Sequence, residues 1–308
     1  MHDDELHVDE QVARRLIIAQ FPEWRPEYVR RIATDGTVNA IFRIGADLTA
    51  RFPLRSADPT DMRAELAREA AAMRELSASC PVATPAPVAM GDPGHGYPLP
   101  WTVQTWIHGA VSTPQGSAHS ELFAQDLANL VRSLRVADTK GRHFAGSGRG
   151  GDLHDSDGWM EVCFRESDGL LPVDRLRALW AEFRSLPNAA PEVMTHGDLI
   201  PGNLLVEDDR LAGVLDGGGF APADPSLDLV AAWHMLDDER RSVLRSELAC
   251  GDVEWWRGAA WAFQQAMGLV WYYRESNPGM STLGKTTLTR ILNDPGLSAL
   301  TSAGPVSR

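Results

Sequence analysis

The segment His196-Gly197-Asp198-Leu199-Ile200-Pro201-Gly202-Asn203, followed closely by Val214-Leu215-Asp216-Gly217-Gly218-Gly219, decides the fold class of this chain. It supplies two carboxylates, Asp198 and Asp216, and the amide of Asn203. A carboxylate can receive or orient the proton of an acceptor hydroxyl, and carboxylate and amide oxygens are ligands that Mg²⁺ prefers. These residue types therefore indicate phosphoryl transfer.

The spacing of these residues carries the prediction, because each of them alone has an ordinary explanation. Protein kinases place a base and two metal ligands in an HxD-x-x-x-x-N pattern that is followed by Asp-Gly. Here Asp198 fits the base, while Asn203 and Asp216 fit the ligands of Mg²⁺. Taken singly, all three are also common turn residues. The combined pattern predicts a catalytic Asp198, with His196 bracing the loop through hydrogen bonds.

Composition limits the possible partners of the chain. The 308 residues are 44% hydrophobic and carry a formal net charge of −13, which disfavours binding to a nucleic-acid backbone. The start, Met1-His2-Asp3-Asp4-Glu5, is acidic where a signal peptide would be basic, and the longest apolar runs fall short of the ~20 residues of a membrane span. Three separated cysteines fit a reducing compartment. We expect a cytoplasmic monomer or homodimer that binds neither nucleic acid nor membrane.

The distribution of predicted strands and helices indicates an α+β fold. Within residues 1–107, three strands lie between Tyr28 and Phe52, with a hairpin turn at 34–37, and a helix over 59–76 is capped by Asp58 or Thr60. Residues 108–308 are mainly helical, apart from strands around the motif and a Gly/Ser/Asp-rich loop at 139–158 without a catalytic pattern. This predicts a bilobal protein-kinase-like fold. Residues 1–107 form an N-terminal nucleotide-binding lobe with a small antiparallel sheet that ends in the strand 101–107, and residues 108–308 form a larger C-terminal catalytic and substrate-binding lobe.

Three short motifs together resemble the aminoglycoside phosphotransferase and choline kinase family. They are the run from Thr195 to Val206, the pair Asp216-Gly217, and Ala223-Asp224-Pro225-Ser226-Leu227-Asp228-Leu229. The resemblance implies a phosphotransferase that uses ATP or GTP with Mg²⁺ to modify a hydroxyl of a small molecule. It also implies that Asp228 supports the catalytic loop structurally. The alternative is that Asp224 or Ser226 simply caps the helix that begins near Leu227.

The same resemblance implies a nucleotide site in the first lobe. Arg51 stands where the family has a lysine on a strand, and this chain has no lysine before Lys140. Its expected partner is Glu69, with Glu65 one turn earlier as the alternative. Arginine can bind phosphate with two parallel hydrogen bonds. An exposed strand arginine and a solvated helix face remain the simpler interpretations.

The segment from Gln104 to Ile107 is expected to offer backbone groups to the nucleotide base, with Gln104, Trp106 and Ile107 in contact with the nucleotide. Trp106 could equally be a core aromatic. Three glycines, Gly217 to Gly219, follow Asp216 where a bulky residue is common in the family, and should leave that loop mobile.

The acceptor implied by the resemblance is an aminoglycoside or a related antibiotic. Residues 108–308 hold 27 acidic and 18 basic side chains, against 15 and 11 in residues 1–107, so a cationic acceptor would be attracted to the second lobe. A macrolide or a metabolite hydroxyl is the alternative acceptor. A pseudokinase-like protein that binds nucleotide without turnover is the alternative of another class, motivated by Arg51 and the three glycines. Six aromatic residues could form a ring-stacking wall or could belong to the core: Trp255, Trp256, Trp261, Trp271, Tyr272 and Tyr273.

Overall fold

The computed structural model describes residues 6–32, 38–146, 148–188 and 191–297. The chain forms two compact units. The first comprises Met1–Ala78, Ala83–His108 and Val214–Gly219, and the second comprises Ser79–Val82, Gly109–Gly213 and Phe220–Arg308. The sequence predicted one division, after Ile107. Two short segments depart from it: residues 79–82 belong to the second unit, and residues 214–219 belong to the first. The predicted hairpin turn at 34–37 lies outside the described residues.

The first unit contains a five-stranded sheet and two α-helices. The strands are β1 (Val29–Ile32), β2 (Asn39–Ile44), β3 (Leu48–Pro53), β4 (Pro87–Gly91) and β5 (Trp101–Thr105), and the helices are α1 (Glu10–Gln20) and α2 (Pro59–Ser79). The sheet is antiparallel throughout, in the order β1-β2-β3-β5-β4. Helix α2 begins where predicted, because the Asp58 carboxylate accepts hydrogen bonds from the backbone N–H groups of Thr60 and Asp61.

The packing of β3 in the first unit leaves Arg51 less enclosed than the residues beside it. Ala50 and Phe52 on β3 are fully buried, whereas Arg51 between them is only partly buried. The ring of Phe52 stacks on Trp101 of β5 with centroids 4.8 Å apart. Arg51 is therefore held on a strand that is anchored by the packing of its buried neighbours.

The second unit is mainly helical. Its helices are α3 (Glu121–Arg135), α4 (Asp157–Glu166), α5 (Val173–Arg184), α6 (Val230–Met235), α7 (Asp238–Glu247), α8 (Asp252–Tyr272) and α9 (Pro278–Leu292). Its strands are β6 (Ala110–Val111), β7 (Val193–Thr195), β8 (Leu204–Glu207), β9 (Arg210–Val214) and β10 (Ala221–Ala223), where β9 ends on the first residue of the segment 214–219. They form a β6-β8-β9 sheet and a β7-β10 pair. The main sheet and most of the helices are thus segregated along the chain, which is the predicted α+β class.

Two details of the second unit differ from the sequence prediction. A short 3₁₀ helix at Leu153–Ser156 and the start of α4 at Asp157 replace the end of the loop predicted for 139–158. The helix expected to begin near Leu227 is a 3₁₀ turn, Leu227–Leu229, followed by α6. Within the described residues, no helix is long and apolar enough to cross a membrane.

Candidate active site

The loop that carries Asp198 is anchored by one buried carboxylate. Asp228 is 1% exposed and accepts hydrogen bonds from the backbone N–H of His196 at 2.8 Å and of Gly197 at 2.9 Å. Gly197 has a φ of 82°, a backbone conformation that a residue with a side chain adopts only at a steric penalty. The hydrogen bonds to Asp228 and the conformation of Gly197 together fix the path of the backbone between β7 and Asp198.

Ser226 directly precedes the 3₁₀ turn and makes no side-chain cap hydrogen bond, whereas Asp224 Oδ1 accepts the backbone N–H of Ser226 at 2.9 Å, so the simpler interpretation of that motif holds for Asp224 in part. Asp224 also has a second role. It is a buried partner of Arg257, whose Nε lies 2.8 Å from Asp224 Oδ2, and of Trp261, whose Nε1 lies 2.9 Å from the same oxygen. Asp224 thereby joins the segment 223–229 to helix α8.

Three side chains donate hydrogen bonds to the Asp198 carboxylate. Arg149 Nη2 and Gln265 Nε2 lie 2.8 Å and 2.9 Å from Oδ1, and Asn203 Nδ2 lies 2.9 Å from Oδ2. The side chain of Asp198 remains 36% exposed. A carboxylate has about four acceptor positions, so one position on Oδ2 is still available to a hydroxyl.

The environment of Asp198 keeps it ionised. Desolvation by itself would raise the pKa of Asp198, but the positive charge of Arg149 and the hydrogen bonds from Arg149 and Gln265 outweigh it. The net result is a pKa of Asp198 below the ordinary value of 3.8. At neutral pH this group is an oriented anion, ready to accept a hydrogen bond from a hydroxyl.

A chain of hydrogen bonds runs from Asp198 through Gln265 to the buried side chain of His234. His234 Nε2 lies 3.0 Å from Gln265 Oε1, and His234 Nδ1 lies 2.8 Å from Thr287 Oγ1. Because an ionised carboxylate only accepts, Gln265 must present its amide N–H₂ to Asp198 and its oxygen to His234. His234 must then carry its proton on Nε2 and accept from the Thr287 hydroxyl. Burial lowers the pKa of His234 to about 4, which keeps this ring neutral.

Asn203 and Asp216 have the donor chemistry of magnesium ligands. The Asn203 Nδ2 group donates to the backbone oxygen and to Oδ2 of Asp198, so its own Oδ1 is directed elsewhere and has no hydrogen-bond partner among the described residues. Asp216 has a φ of 59°, and its side chain is 53% exposed. Each side chain has an oxygen of the kind that a hard cation prefers, and their role as magnesium ligands stays a prediction. The described part of the chain contains no group of three or more His, Cys, Asp or Glu side chains that could hold a metal by itself.

The first unit contains a cavity of about 230 Å³ that is lined by Arg51, Glu69, Gln104 and Asp216 over an apolar floor that includes Met73. Arg51 Nη2 lies 3.1 Å from Asp216 Oδ1. The expected ion pair of Arg51 with Glu69 is not formed; Asp216 takes that place. Burial raises the pKa of Glu69, against the opposing effect of the Arg51 charge.

The strand-end residues differ in their access to this cavity. Gln104 lines it, but Trp106 and Ile107 do not. The Trp106 backbone N–H donates to the backbone oxygen of Asp47 at 2.7 Å, and its ring lies under the Arg43 guanidinium at 3.8 Å. The Trp106 backbone N–H is therefore already paired within the first unit, and the contacts of Trp106 and Ile107 with a nucleotide stay predictions.

The glycines after Asp216 have a packing reason. A Cβ on Gly217 would lie 2.3 Å from Leu76 Cδ2, and one on Gly218 would lie 3.1 Å from Glu69 Cγ. Both neighbours belong to α2. A bulky residue after Asp216 would not fit against this helix, and this close approach accounts for the departure from the family pattern.

A second cavity, of about 380 Å³, lies in the second unit and is bordered by Arg149, Trp159, Gln264, Tyr272 and Tyr273 among others. Of the six aromatic residues singled out in the sequence, Trp255, Trp256 and Trp261 are buried in the core, whereas Tyr272 and Tyr273 line this cavity. Trp159 joins them from α4.

Sequence reasoning missed Arg149, Gln265, His234 and Trp159. Arg149 lies in the loop that showed no catalytic pattern, 49 residues before Asp198. A usable signal did exist for Gln265: the pair Gln264-Gln265 interrupts an otherwise uncharged, mainly apolar stretch from Gly258 to Tyr272 in α8. Buried amides in such a helix require partners or a cavity.

Comparisons with known proteins agree with this architecture. The sequence matches the model of the phosphotransferase enzyme family over residues 29–261. No curated protein sequence matches it significantly. The GDP complex of wild-type aminoglycoside 2'-phosphotransferase-IIIa is similar with a TM-score of 0.69 and 17% identity, covering 93% of this chain and 99% of that one. Macrolide 2'-phosphotransferase MphH from Brachybacterium faecium is similar with a TM-score of 0.56 and 20% identity, covering 85% of this chain and 91% of that one.

Those structural likenesses establish the fold, and the family match spans well over half of the sequence, including the loop with Asp198 and the segment with Asp216. The chain therefore belongs to the phosphotransferase enzyme family and has the bilobal, protein-kinase-like α+β fold of the aminoglycoside and macrolide phosphotransferases.

Proposed function

We propose that this protein transfers the γ-phosphate of ATP or GTP, with Mg²⁺, to a hydroxyl of a small molecule. The observation that carries the proposal is the Asp198 carboxylate. It is ionised, oriented by three donors, and still open on Oδ2. An ordinary structural aspartate would have no reason to keep an accepting position exposed within such a network.

Asp198 acts mainly by orienting the acceptor hydroxyl. Phosphoryl transfer proceeds through a loose transition state, in which the hydroxyl proton leaves late and the enzyme contributes chiefly positioning and electrostatics. A base with a lowered pKa suits this task, since it accepts a hydrogen bond at any ordinary pH. It receives the proton when the new oxygen–phosphorus bond has largely formed.

The donor side of the reaction is assigned to the cavity of the first unit. Arg51 would bind the nucleotide phosphates through its guanidinium, while Glu69 limits the mobility of that cation by its nearby charge. Asn203 and Asp216 would hold Mg²⁺, which when bound neutralises negative charge on the phosphates. Gln104 is the one member of the predicted strand-end set that lines this cavity.

The aminoglycoside acceptor predicted from the sequence is supported by the acidic second lobe and by the family. The alternative, a macrolide or metabolite hydroxyl, is favoured by one specific observation: the cavity beside Asp198 has no carboxylate among the described residues that line it. Aminoglycosides carry several ammonium groups, and a cation that leaves water needs a paired anion.

The test is release of ADP or GDP by the purified protein with Mg²⁺ and a panel of aminoglycosides, macrolides and neutral sugars. We expect acceptor-dependent release that disappears in Asp198→Ala and Asp198→Asn, both of which should still bind nucleotide. Phosphorylation of no aminoglycoside would eliminate that acceptor class. Nucleotide binding without release for any acceptor would instead favour the pseudokinase-like alternative.

A further inference from the structure

The cavity of the second unit borders the proposed base. Arg149 lines this cavity and also donates to Asp198 Oδ1, and the same is true of Gln265. A molecule in the cavity therefore lies beside the groups that hold the Asp198 carboxylate. This position suits the acceptor, and its chemistry can be inferred from the walls.

The walls of the cavity are electrically neutral. Among the described residues, Arg149 is the one charged side chain that lines it, and its guanidinium is paired with Asp198 at 2.8 Å. The pair leaves no net charge for a ligand to neutralise. An amine-rich ligand would lose hydration here without gaining an anionic partner.

One wall is aromatic and accessible. Trp159 is 40% exposed and Tyr272 is 51% exposed, which is unusual for rings of this size. The Trp159 ring lies directly against helix α8, where a Cβ on Gly268 would approach it to 2.8 Å. Gly268 thus permits the ring to lie close to the helix at the cavity edge, where it can stack on a ring of a ligand.

Gln264 supplies the polar group of the cavity. The residue is only 8% exposed and lines the cavity, yet its side-chain amide makes no hydrogen bond within the described part of the chain. Its neighbour Gln265, in contrast, uses both ends of its amide. The polar atoms of this amide reach the open cavity, where water bound to them can be exchanged for a hydroxyl of a ligand. An amide offers one acceptor and two donors, which matches hydroxyl groups.

We propose that this cavity is the acceptor subsite and that it selects an uncharged, ring-bearing polyol or glycoside over an amine-rich one. Gln264 determines this specificity by bonding a hydroxyl, and Trp159 and Tyr272 hold the ring. The inference rests on the proposed function and names its acceptor class. It also predicts that substitution of Gln264 alters acceptor choice without altering nucleotide binding.

Binding is tested with phenyl glucoside and with its analogue in which the primary hydroxyl is replaced by an amine, measured by tryptophan fluorescence at neutral pH. Kanamycin serves as the polycationic probe. We expect the full-length protein to bind phenyl glucoside at least tenfold more tightly than the amine analogue or kanamycin. Gln264→Leu should weaken binding of phenyl glucoside by about threefold to tenfold, the loss of one hydrogen bond. Gln264→Glu should shift the preference toward the amine analogue.

Gln125→Leu on α3 is the matched control and should leave all three affinities unchanged. Tighter binding of kanamycin than of phenyl glucoside, no binding of phenyl glucoside, or no effect of Gln264→Leu would each overturn the inference. Phosphoryl transfer is measured separately on the same samples. Transfer to kanamycin together with its tight binding counts against this inference alone. Selective binding of phenyl glucoside with no nucleotide hydrolysis or transfer counts against the proposed function alone.

Discussion

Arg149 donates a hydrogen bond of 2.8 Å to Oδ1 of Asp198, although 49 residues separate the two in the sequence. The guanidinium is 22% exposed and the carboxylate 36% exposed, so the pair is partly screened by water but still close enough to hold the pKa of Asp198 below its ordinary value. A carboxylate paired in this way is ionised at neutral pH, which suits the orienting role that we propose for Asp198. The protonation state of Asp198 therefore depends on a side chain from a distant loop.

Replacement of Arg149 by methionine should make activity sensitive to mild acid. Without the guanidinium, desolvation becomes the dominant influence and raises the pKa of Asp198. The carboxylate is then protonated, and inactive as an acceptor, at a higher pH than in the wild type. The acid limb of the kcat/KM profile should move to higher pH, and the ratio of variant to wild-type activity should fall steadily as the pH is lowered.

Arg165→Met is the control for this profile, because Arg165 is an exposed residue of α4. It should reproduce the wild-type pH dependence. An acid limb of Arg149→Met that coincides with the wild type would show that the charge of Arg149 does not act on the base.

His234 should make the folded protein less stable in mild acid. Its pKa is about 4 in the folded protein, against 6.5 for a fully solvated histidine, so the unfolded chain binds the proton more readily. The contribution is fully present above pH 6.5 and is lost as the pH falls toward 4. The shift corresponds to roughly 3 kcal/mol of unfolding free energy. Urea unfolding at a series of pH values measures it.

His234→Gln keeps an N–H donor for Gln265 but does not titrate. Its free energy of unfolding is expected to be lower than that of the wild type at pH 7, and to decline less steeply between pH 6.5 and 4. Equal slopes for the two proteins would mean that His234 is not protonated on unfolding.

Gln265→Met removes one of the hydrogen bonds that orient the Asp198 carboxylate. In activity assays at neutral pH, this variant should have a lower kcat and an unchanged KM for nucleotide.

Gly217→Ala should destabilise the first unit by about 1 to 3 kcal/mol, the usual penalty for forcing extra volume into a packed site. The new Cβ would meet Leu76, which is 1% exposed and has little room to move. Thermal unfolding and nucleotide binding should both report the loss. Gly158→Ala is the matched control, since a Cβ there meets no atom within 4 Å among the described residues.

The double variant Gly217→Ala with Leu76→Ala tests whether the destabilisation comes from the contact of the new Cβ with Leu76 or from the backbone of residue 217. If the clash is the cause, the double variant should lose less stability than the sum of the two single variants. Strict additivity would indicate that Gly217 is needed for another reason.

Arg51→Met should weaken nucleotide binding by about tenfold to a hundredfold, the range expected for loss of charged hydrogen bonds to phosphate. Arg51→Lys should retain part of the affinity, because a lysine keeps the charge but not the two-pronged donor. Isothermal titration with ADP and GDP measures the change. Arg55→Met, an exposed neighbour just beyond β3, should bind nucleotide like the wild type; equal affinities for all of these proteins would remove Arg51 from the nucleotide site.

Local patterns were sufficient for much of the first unit. Runs of β-forming residues bounded by turn residues indicated β2 and β3, and Asp58-Pro59 indicated the start of α2, because caps and turns depend on neighbours in the sequence. The fold class and the family predicted from the short motifs were confirmed by the family match over residues 29–261 and by the structural likeness to the aminoglycoside and macrolide phosphotransferases.

Contacts between distant segments could not be predicted in this way. The sequence suggested Glu69 as the partner of Arg51, but Asp216, 165 residues away, forms the ion pair. The three glycines suggested a mobile loop, but they gave no sign that Gly217 lies so close to Leu76 of α2 that a Cβ would come within 2.3 Å of it. Neither result depends on local propensity, so no pattern within a short window could reveal it.

The sequence by itself determined the chemistry that we propose for this protein: a base at Asp198, oxygen ligands at Asn203 and Asp216, and a family-wide α+β fold. These properties follow from residue types at short spacings, which the chain encodes directly. Only the tertiary structure decided how the base is held and what stands beside it. Arg149, Gln265 and Trp159 come from segments far apart in sequence, and they meet because the second unit packs its helices around a common core, burying apolar surface that no single segment can bury alone.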